Sequence, residues 1–337
     1  MLLDVILPTF NRQVLLERTL DSLRAARVPR GLDVRILVVD NASTDGTRAL
    51  VRRTAASFGG RLHYLFERTP GKPFALNAGI AATDGELVGL IDDDEEVDAG
   101  WFECIGREFG TRQPGDTVDF IGGKCLPRWE TARPSWLGDG YLGVIGWVDP
   151  GDVTRAMDDS YQGILMGGNA VIRRAALERA GAYSTALCRT GSRLLGCEDE
   201  DMYHRLLATG ARGRYVPELV IFHHVPERRL TKRYFRTWCF WRGVSLGVMD
   251  RDRRAPVTYF AGVPRYRVGR AVRGLWRLAT SVLSAKRAKD DAERFENELA
   301  TWDLAGFFWG KHFYRAPAST ERQTPSPERH ANGGYAA

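Results

Sequence analysis

The sequence of 337 residues predicts an α/β protein: a mostly parallel, doubly wound sheet flanked by helices, followed by a helical C-terminal extension. Three observations predict it. In the first hundred residues, apolar runs of strand length alternate with segments of helical period, and near-continuous apolar strands are typical of parallel sheets covered on both faces. The composition is that of an ordinary globular chain, with 44% hydrophobic and 27% charged residues. Beyond residue 230 the pattern is helical and strongly basic.

The individual elements follow in chain order. The first apolar run, residues 2–8, is a strand that ends at Pro8. Apolar positions at helical spacing then predict a helix over 12–27. The remaining elements are strands at 34–40, 61–66 and 86–91, a turn into a strand at 167–174 and a strand at 214–222, with helices at 47–58, 73–82, 175–180 and 200–209. Residues 126–163, rich in Gly, Pro and Asp, predict long loops, which are usually functional in a compact domain.

The net charge of +6 conceals an uneven distribution. Residues 226–289 contain 17 Lys and Arg against three acidic residues, a net charge of +14, which leaves −8 for the rest of the chain. We therefore divide the chain into an α/β domain at 1–225, a basic helical extension at 226–315 and a disordered tail at 316–337. A basic segment on an acidic body indicates an anionic partner for that segment.

Targeting and redox features indicate a cytoplasmic protein. No stretch approaches 18 consecutive apolar residues, so a membrane-spanning helix is not expected. The first residues lack the basic start of a secretory signal and reach Asp4 at once. The five cysteines are odd in number and widely spaced, which favours reduced thiols over a disulfide framework or a zinc site.

Acidic side chains follow two of the predicted strands. Asp40 closes the second strand, at the edge where open α/β sheets bind ligands, so its carboxylate is a candidate hydrogen-bond acceptor for a base or ribose. Capping of the next helix together with Asp45 is the competing interpretation. Asp92, Asp93 and Asp94 follow the fourth strand. Carboxylates at i and i+2 repel each other unless a cation lies between them, and Mg²⁺ or Mn²⁺ takes such carboxylates together with phosphate oxygens; an acidic surface turn is the alternative.

Two further clusters lie beyond the loops. Glu198-Asp199-Glu200-Asp201 precedes an apolar helix, where acids interact favourably with the helix dipole. A carboxylate at that place is equally suited to act as a general base toward a hydroxyl. His223-His224 follows the last predicted strand, and a histidine there is either a satisfied core residue or a neutral imidazole ligand of a metal.

Together these motifs resemble those of family 2 inverting glycosyltransferases with the nucleotide-sugar-binding GT-A fold. The resemblance spans residues 2–224 and rests on elements that occur in the family's order. They are Pro8-Thr9-Phe10-Asn11-Arg12, the run from Val39 to Thr47, Lys72 with Asn77-Ala78-Gly79, Asp92-Asp93-Asp94, Gly167-Gly168-Asn169, Glu198-Asp199-Glu200-Asp201 and His223. The resemblance implies a GT-A catalytic domain over 1–225, and it covers the basic extension only loosely.

The resemblance also implies a role for each matched position. Donor nucleotide binding is assigned to Pro8, Thr9, Arg12, Asp40, Lys72, Asn77, Asp92 and Asp93. Asp94 and His223 would bind Mn²⁺ or Mg²⁺, with His224 as the competitor of His223. The acceptor would be bordered by Gly168, Asn169, Glu198 and the loop residue Trp136. Asp199 matches the catalytic base, with Glu198 and Asp201 as adjacent alternatives.

The implied reaction is a single inverting displacement. An acceptor hydroxyl attacks the sugar while Asp199 removes its proton, and a divalent ion stabilises the departing diphosphate. The position of Asp40 suits a uracil or thymine imide, so a UDP-sugar is the best single donor candidate. The expected acceptor is a glycolipid or glycan precursor at the cytoplasmic membrane face. The alternatives are a soluble transferase acting on a small metabolite or peptide, and a non-catalytic protein that binds sugar nucleotides or nucleic acid.

The basic extension contains an amphipathic pattern at 265–283. At 100° per residue one side carries apolar residues: Val268, Val272, Leu275, Ala279 and Val282. Arg270, Arg273 and Arg277 fall opposite. The pattern predicts either a helix packed on the catalytic domain with its arginines in solvent, or a helix lying peripherally on an anionic membrane surface. Nucleic acid is not expected as a partner, because the sequence contains no recognisable nucleic-acid-binding module.

Overall fold

A computed structural model describes residues 1–110, 117–188, 194–252, 257–282 and 291–315. Its centre is a nine-stranded sheet covered by helices on both faces, and long helices follow the sheet. The predicted α/β class with a helical C-terminal region is confirmed. The tail at 316–337, predicted to be disordered, lies outside the described residues.

The first half of the sheet is parallel. The strands are β1 (Leu2–Thr9), β2 (Asp33–Asp40), β3 (Leu62–Phe66) and β4 (Leu87–Leu90), in the spatial order β3-β2-β1-β4. The crossover helices are α1 (Gln13–Ala25), α2 (Thr47–Ala55) and α3 (Lys72–Ala81). Alternate residues of β1 serve the two faces, since Leu3, Val5 and Leu7 belong to the core layer that includes α1, and Ile6 to the layer that includes α3.

The second half of the sheet is mixed. Its elements are β5 (Glu95–Val97), α4 (Trp101–Phe109), β6 (Phe120–Trp129), β7 (Arg155–Met157), β8 (Ala170–Arg173), α5 (Arg174–Ala180), α6 (Glu198–Ala208) and β9 (Gly213–Val225). The spatial order continues from β4 as β8-β6-β9-β5, with β7 also on β9. Only the β6–β9 pair in this half is parallel among the described strands. The expectation of a mostly parallel sheet therefore holds for the first half.

The change of direction follows from the short connection after β4. Residues 91–94 alone separate β4 from β5, whereas a parallel neighbour requires a crossover of a dozen or more residues. β5 therefore turns away and pairs antiparallel with β9 at the far edge. The strand β6 carries a bulge at Gly123, where a side chain would overlap the Leu219 carbonyl of β9.

The C-terminal region is helical, with one small hairpin. It contains α7 (Lys232–Asp252), the hairpin strands β10 (Tyr259–Phe260) and β11 (Val263–Pro264), α8 (Arg265–Val282) and α9 (Asp291–His312). The helices α7 and α9 approach each other backbone to backbone. Glycines make this possible: Gly243 and Gly247 of α7 lie against the backbone of α9, and Gly306 and Gly310 lie against the backbone of α7. In the parts of the chain that the structure describes, no helix combines the length and apolar character needed to cross a bilayer.

The helix α8 packs by a side that its apolar pattern does not predict. Its buried positions Ala271 and Gly274 face the extension, and Gly274 lies against the backbone of Asn297 in α9. The apolar side is divided: Val268 packs against the cluster of Leu246, Val263 and Phe307, whereas Val272 and Leu275 point outward and are 57% and 55% exposed. From Val272 onward, α8 therefore does not pack through its apolar side. Small residues form the contact instead, because they let the two helix backbones come close.

Candidate active site

The carboxyl ends of β1, β2 and β4 lie at one edge of the sheet. Thr9 is the register partner of Asp40 across β1 and β2, and the turn at 92–94 leaves β4, the other neighbour of β1. The strand β9 reaches the same edge, where Glu95 pairs with His223. Four of the motifs identified in the sequence therefore meet at this edge.

Lys72, at the start of α3, forms an ion pair with Asp92. Its Nζ lies 2.7 Å from the nearer carboxylate oxygen. Burial lowers the pKa of Lys72, but the negative charges of Asp92, Asp199 and Glu198 outweigh it and hold that pKa well above its ordinary value. The ammonium is therefore charged, and it connects the end of β4 with the acidic first turn of α6.

Asp93 points into the protein. Its carboxylate accepts hydrogen bonds of 2.8 Å from the Thr9 hydroxyl and from Arg12 Nη1. Burial raises the pKa of Asp93 to about 6, against the opposing charge of Arg12. Through these hydrogen bonds Asp93 connects the end of β1 and the turn that follows it with the turn after β4.

Asp94 is surrounded by cationic and imidazole groups. Its Oδ2 lies 2.8 Å from Arg12 Nη1, 3.3 Å from Arg229 Nη2 and 3.6 Å from His223 Nε2. Burial acts to raise the pKa of Asp94, but hydrogen bonding and charge from His223 and the charges of Arg12 and Arg229 hold it well below its usual range. The carboxylate is therefore ionised throughout the neutral range.

The alternation of β9 separates the two histidines. His223 faces Asp94, and its Nε2 also lies 3.1 Å from Arg229 Nη1. His224 occupies the next position, whose side chain belongs to the opposite face of the strand. Burial lowers the pKa of His224, and Glu130 opposes that shift. His223 is therefore the imidazole at the open edge.

Asp94 and His223 suit a hard divalent cation that shares its ligands with a substrate. Their separation of 3.6 Å is one that two metal–ligand bonds of about 2.1 Å can span. Within the described residues no three His, Cys, Asp or Glu side chains form a complete metal site. Substrate phosphate oxygens would have to complete the shell, as Mg²⁺ and Mn²⁺ sites commonly require. The Arg229 guanidinium, which contacts both groups, would have to yield its position between them.

Asp199 lies in the first turn of α6 against the turn formed by Gly167 and Gly168. A Cβ on Gly167 would overlap the Asp199 carboxylate, and a Cβ on Gly168 would overlap the carboxylate of Glu95. Glycine at both positions therefore lets two carboxylates approach the same turn. The arrangement brings the base candidate to the strand-end acids.

The carboxylate of Asp199 has the properties of a general base. Its Oδ1 is buried and has no hydrogen-bond partner among the residues that the structure describes. Burial raises the pKa of Asp199 to about 7, although the charge of Lys72 opposes the shift. Asp201, one of the alternatives, instead accepts a 2.9 Å hydrogen bond from Arg205 Nε. Asp199 thus combines a carboxylate oxygen that has no hydrogen-bond partner among the described residues with a pKa close to neutral.

Asp40 is buried at the neighbouring strand end. Its carboxylate accepts 2.8 Å hydrogen bonds from the Ser43 backbone N–H and from the Tyr64 hydroxyl. Burial, together with that bond to Asp40, raises the pKa of Tyr64 to about 12. The capping role falls to Asp45, which accepts hydrogen bonds from the N–H and hydroxyl of Thr47. Each oxygen of Asp40 retains a second acceptor position that a base could use.

Two of the predicted asparagines serve the protein's own backbone. Asn77 donates a hydrogen bond to the Tyr183 carbonyl and accepts one from its N–H, at 2.9 and 2.8 Å. Asn169 is fully buried, accepts a hydrogen bond from Trp101 Nε1 and donates to two carbonyls of β6 and β9. Because these hydrogen bonds hold the Asn169 amide inside the protein, its contact with an acceptor stays a prediction.

Trp136 packs on the helical extension. Its ring makes edge-to-face contacts with Phe235 of α7 and Phe295 of α9, with ring centroids 5.2 and 5.1 Å apart. The loop that carries Trp136 is therefore fastened to these helices. Its proposed contact with an acceptor stays a prediction.

Three residues of the site were not anticipated. Arg229 was counted only as part of the basic segment, Glu95 only as part of an acidic turn, and Tyr64 only as a strand residue. The signal for Arg229 is its position six residues after His223, past a short turn that folds it back. No local pattern reveals Tyr64, because its contact with Asp40 arises from the pairing of β2 with β3.

Comparison with known proteins places these motifs in context. The family described as "Glycosyl transferase family 2" matches residues 4–181, more than half of the chain. The succinoglycan biosynthesis protein ExoM of Rhizobium meliloti (strain 1021) is 26% identical over 244 residues, 70% of this chain and 72% of ExoM. A GalNAc(5)-diNAcBac-PP-undecaprenol beta-1,3-glucosyltransferase of Campylobacter jejuni is 35% identical over 126 residues, 37% of this chain and 38% of that protein. The chain thus spans well under half of the second relative.

Solved structures share the fold. The mannosyltransferase PcManGT of Pyrobaculum calidifontis, in complex with GDP-Man and Mn²⁺, aligns with a TM-score of 0.52 at 22% identity, over 91% of this chain and 73% of that one. GalNAc-T7 with UDP, GalNAc and Mn²⁺ aligns with a TM-score of 0.50 at 15% identity, over 79% of this chain and 54% of that one. At such identities the similarity concerns the architecture, and it confirms the predicted fold class.

Proposed function

The chain belongs to glycosyl transferase family 2, and we propose that it moves a sugar from a nucleotide-sugar donor to an acceptor hydroxyl with inversion of the anomeric centre. One observation carries the proposal: Lys72 joins the two halves of the site. Its ammonium pairs with Asp92 at the end of β4 and interacts with Asp199 at the start of α6. A carboxylate suited to a ribose or sugar hydroxyl and a carboxylate suited to deprotonate an acceptor hydroxyl therefore belong to one cluster.

The donor nucleotide is proposed to lie along the carboxyl edge of β1 and β2. Pro8 and Thr9 at the end of β1, with Arg12 in the turn that follows, form one side of this pocket, and Asp40 forms the other. A carboxylate acceptor at Asp40 suits the N–H of a uracil imide, so a UDP-sugar is the proposed donor. Asp92 is proposed to contact its ribose or sugar. Asp93 and Asn77 are proposed to support the pocket through the contacts described above.

Asp94 and His223 are the residues that would hold Mn²⁺ or Mg²⁺. Such an ion, when bound, stabilises the negative charge that develops on the leaving diphosphate. Arg12 and Arg229 present guanidinium groups at the same place, and planar guanidinium groups bind phosphate oxygens with two parallel hydrogen bonds. These side chains are therefore proposed to orient the diphosphate.

Asp199 is proposed to take the proton of the acceptor hydroxyl. A pKa of about 7 leaves a large fraction of the carboxylate ionised at neutral pH while it retains enough basicity for proton transfer. As the hydroxyl oxygen bonds to the anomeric carbon, the bond from that carbon to the diphosphate oxygen breaks, and the proton moves to Asp199. Gly168 and Glu198 are proposed to border the acceptor at this point.

The proposed acceptor is a glycolipid or glycan precursor at the cytoplasmic face of the membrane. Two relatives support this class of acceptor: one is named for an undecaprenol-linked glycan, and the other is a succinoglycan biosynthesis protein. A hydroxyl on a lipid-linked glycan would approach the Gly167-Gly168 turn from the side of Asp199.

A thermal-unfolding screen tests the donor and metal assignments. Ligands that bind the folded state raise its unfolding temperature, and saturation at 100 times Kd adds about 2.7 kcal/mol of stability. We expect UDP-sugars with Mn²⁺ to raise the midpoint, and Asp94→Ala to abolish the rise. The matched control is Asp21→Ala, an exposed acid on α1 paired only with Arg24 among the described residues. A shift with GDP-sugars alone would refute the UDP assignment, and no shift with any sugar nucleotide would refute the donor class.

A further inference from the structure

The exposed side of α8 forms an apolar strip on the surface of the extension. Val272, Leu275 and Trp276 are 57%, 55% and 68% exposed, and Ala279 is exposed next to them. Successive residues of a helix lie about 100° apart, so these four share one side of α8. Single exposed apolar residues are ordinary on a protein surface, whereas a contiguous strip marks a site of interaction.

Further exposed aromatic side chains lie near the first turn of α8. The hairpin that precedes α8 turns at Ala261 and Gly262, both with positive φ, and presents Phe260 with 66% of its surface exposed. The Gly262 turn lies beside His312 at the end of α9. There, the exposed rings of Phe308, Trp309 and Phe313 contact one another or His312. We call the exposed apolar strip on α8 the outer face; Phe260 and these three rings lie near the start of the same helix.

The outer face is bordered by positive charge. The helix α8 contains five arginines and no acidic residue. Arg273 and Arg277 are exposed, and each follows an apolar residue of the strip by one position, about 100° round the helix. Arg277 Nη1 lies 3.7 Å from Glu293, an exposed pair that water screens. An apolar strip with arginines along its margin is the arrangement of a helix that lies in a membrane interface.

We propose that the outer face docks on an anionic lipid bilayer, with Trp276 and Leu275 in the interface and Arg273 and Arg277 on the lipid phosphates. Tryptophan is favoured at the boundary between headgroups and acyl chains, because its ring is apolar and its N–H is polar. The proposal deepens the proposed function, on which it rests for its purpose: docking would hold the site close to a lipid-linked acceptor.

Other occupants fit the outer face less well. A two-fold symmetric dimer through this face would bring the arginine margins of two copies together, and like charges repel. The residues from 316 to 337 contain few apolar side chains with which to cover a strip of valine, leucine and tryptophan. Nucleic acid would engage the arginines but leave the aliphatic centre of the strip without a partner.

Vesicle cosedimentation of the full chain tests the proposal. We expect binding to vesicles that mix phosphatidylcholine with anionic phosphatidylglycerol, weak binding to phosphatidylcholine alone, and loss of binding as salt rises. The double variant Leu275→Ser/Trp276→Ser should bind about tenfold more weakly or worse. Arg273→Gln/Arg277→Gln should lose about fivefold per arginine on the anionic vesicles only. Because all four side chains are exposed, we expect unchanged thermal unfolding.

Matched controls come from the opposite end of the chain. Val14→Ser on α1 removes an equally exposed apolar group, and Arg24→Gln/Arg53→Gln removes two exposed arginines. Both controls should bind as the wild type does. Wild-type chain that stays in the supernatant, or binding that the α8 variants do not weaken, refutes the docking surface. Concentration-dependent dimers that these variants dissolve, without vesicle binding, would refute it in favour of a second copy.

The same variants separate docking from catalysis. Sugar-nucleotide binding in solution should be unchanged in all of them, because the outer face carries none of the proposed donor residues. Vesicle binding without transfer to any acceptor would leave the docking surface standing and remove the proposed function. Transfer to a soluble acceptor without vesicle binding would support the proposed function and refute the docking surface.

Discussion

Replacing Asp199 by asparagine separates its role in proton transfer from its role in packing. The amide has nearly the same shape as the carboxylate but cannot accept the proton of an acceptor hydroxyl. Removal of a general base costs about 10² to 10⁴ in rate. We therefore expect kcat of Asp199→Asn to fall by that amount, while the affinity for the sugar nucleotide changes little. Single-turnover transfer with a radiolabelled donor measures the first quantity, and calorimetry measures the second.

The same change should stabilise the fold at neutral and higher pH. The pKa of Asp199 rises from 3.8 to about 7 on folding, because the carboxylate is buried. The folded state therefore keeps this proton to a higher pH than the unfolded chain, so the stability it contributes is full below about pH 4 and is lost as pH rises through about 7. At 1.36 kcal/mol per unit, the loss amounts to about 4 kcal/mol. Because asparagine has no carboxyl group to ionise, the variant should avoid most of this loss of stability.

Chemical denaturation at several pH values checks the expectation. The difference in unfolding free energy between Asp199→Asn and wild type should grow in favour of the variant between pH 4 and pH 7.5. Asp201→Asn is the matched control, since that carboxylate is bonded to Arg205 in the same helix. We expect the control to retain transfer. Full activity in Asp199→Asn would refute the assignment of the base. Stability curves that are equal for the variant and the wild type would refute the raised pKa on which that assignment draws.

Three further predictions follow from the contacts of the site and the extension. Asp94→Asn removes the charge shared by two arginines and a histidine, and we expect Mn²⁺ to lose its effect on sugar-nucleotide affinity in calorimetry; an unchanged metal effect would contradict the ligand assignment. Gly167→Ala places a methyl group on Asp199, and transfer should fall about tenfold or more in the single-turnover assay while donor affinity holds. Gly306→Ala overlaps the backbone of α7 and should lower the unfolding free energy by about 1–3 kcal/mol; an unchanged denaturation midpoint would argue against the close helix contact.

Local patterns in the sequence predict much of the fold. The runs that form β1 and β2 are apolar and are closed by polar turns, and the helices between the first strands show a clear stripe. The strands β5 and β6 escape prediction for physical reasons. β5 has three residues, two of them acidic, and β6 contains two glycines at a bulge, so neither displays the usual apolar alternation.

The residues of the candidate site can be predicted where they belong to short sequence motifs. The acids after β4, the acidic start of α6 and His223 are all visible in the sequence, and the structure brings them to one edge. Their counter-charges are not visible, since Arg229 reaches Asp94 across 135 positions of the chain. The burial of Asn169 is equally hidden. An Asn after two glycines is typical of a turn, whereas its three hydrogen bonds are made with two strand carbonyls and with Trp101 of α4, all distant in sequence.

The outward side of α8 illustrates a further limit of pattern analysis. Periodicity identifies an apolar side of a helix, but it does not say whether protein or something else covers that side. The structure answers through Gly274, whose missing side chain lets α8 lie against α9 by its other face. The apolar residues were therefore identified correctly, while the environment of Val272 and Leu275 depended on the small residues Ala271 and Gly274 on the other face.

The glycine contact between α7 and α9 separates the attachment of the extension from the surface that the extension presents. At Gly243, Gly247, Gly306 and Gly310 the two helices are joined backbone to backbone, so at these positions the joint depends on the absence of side chains. Large residues on the outer sides of the extension can then change without loosening it. The residues that attach α7 to α9 at these positions are therefore distinct from those that form the outer face on α8.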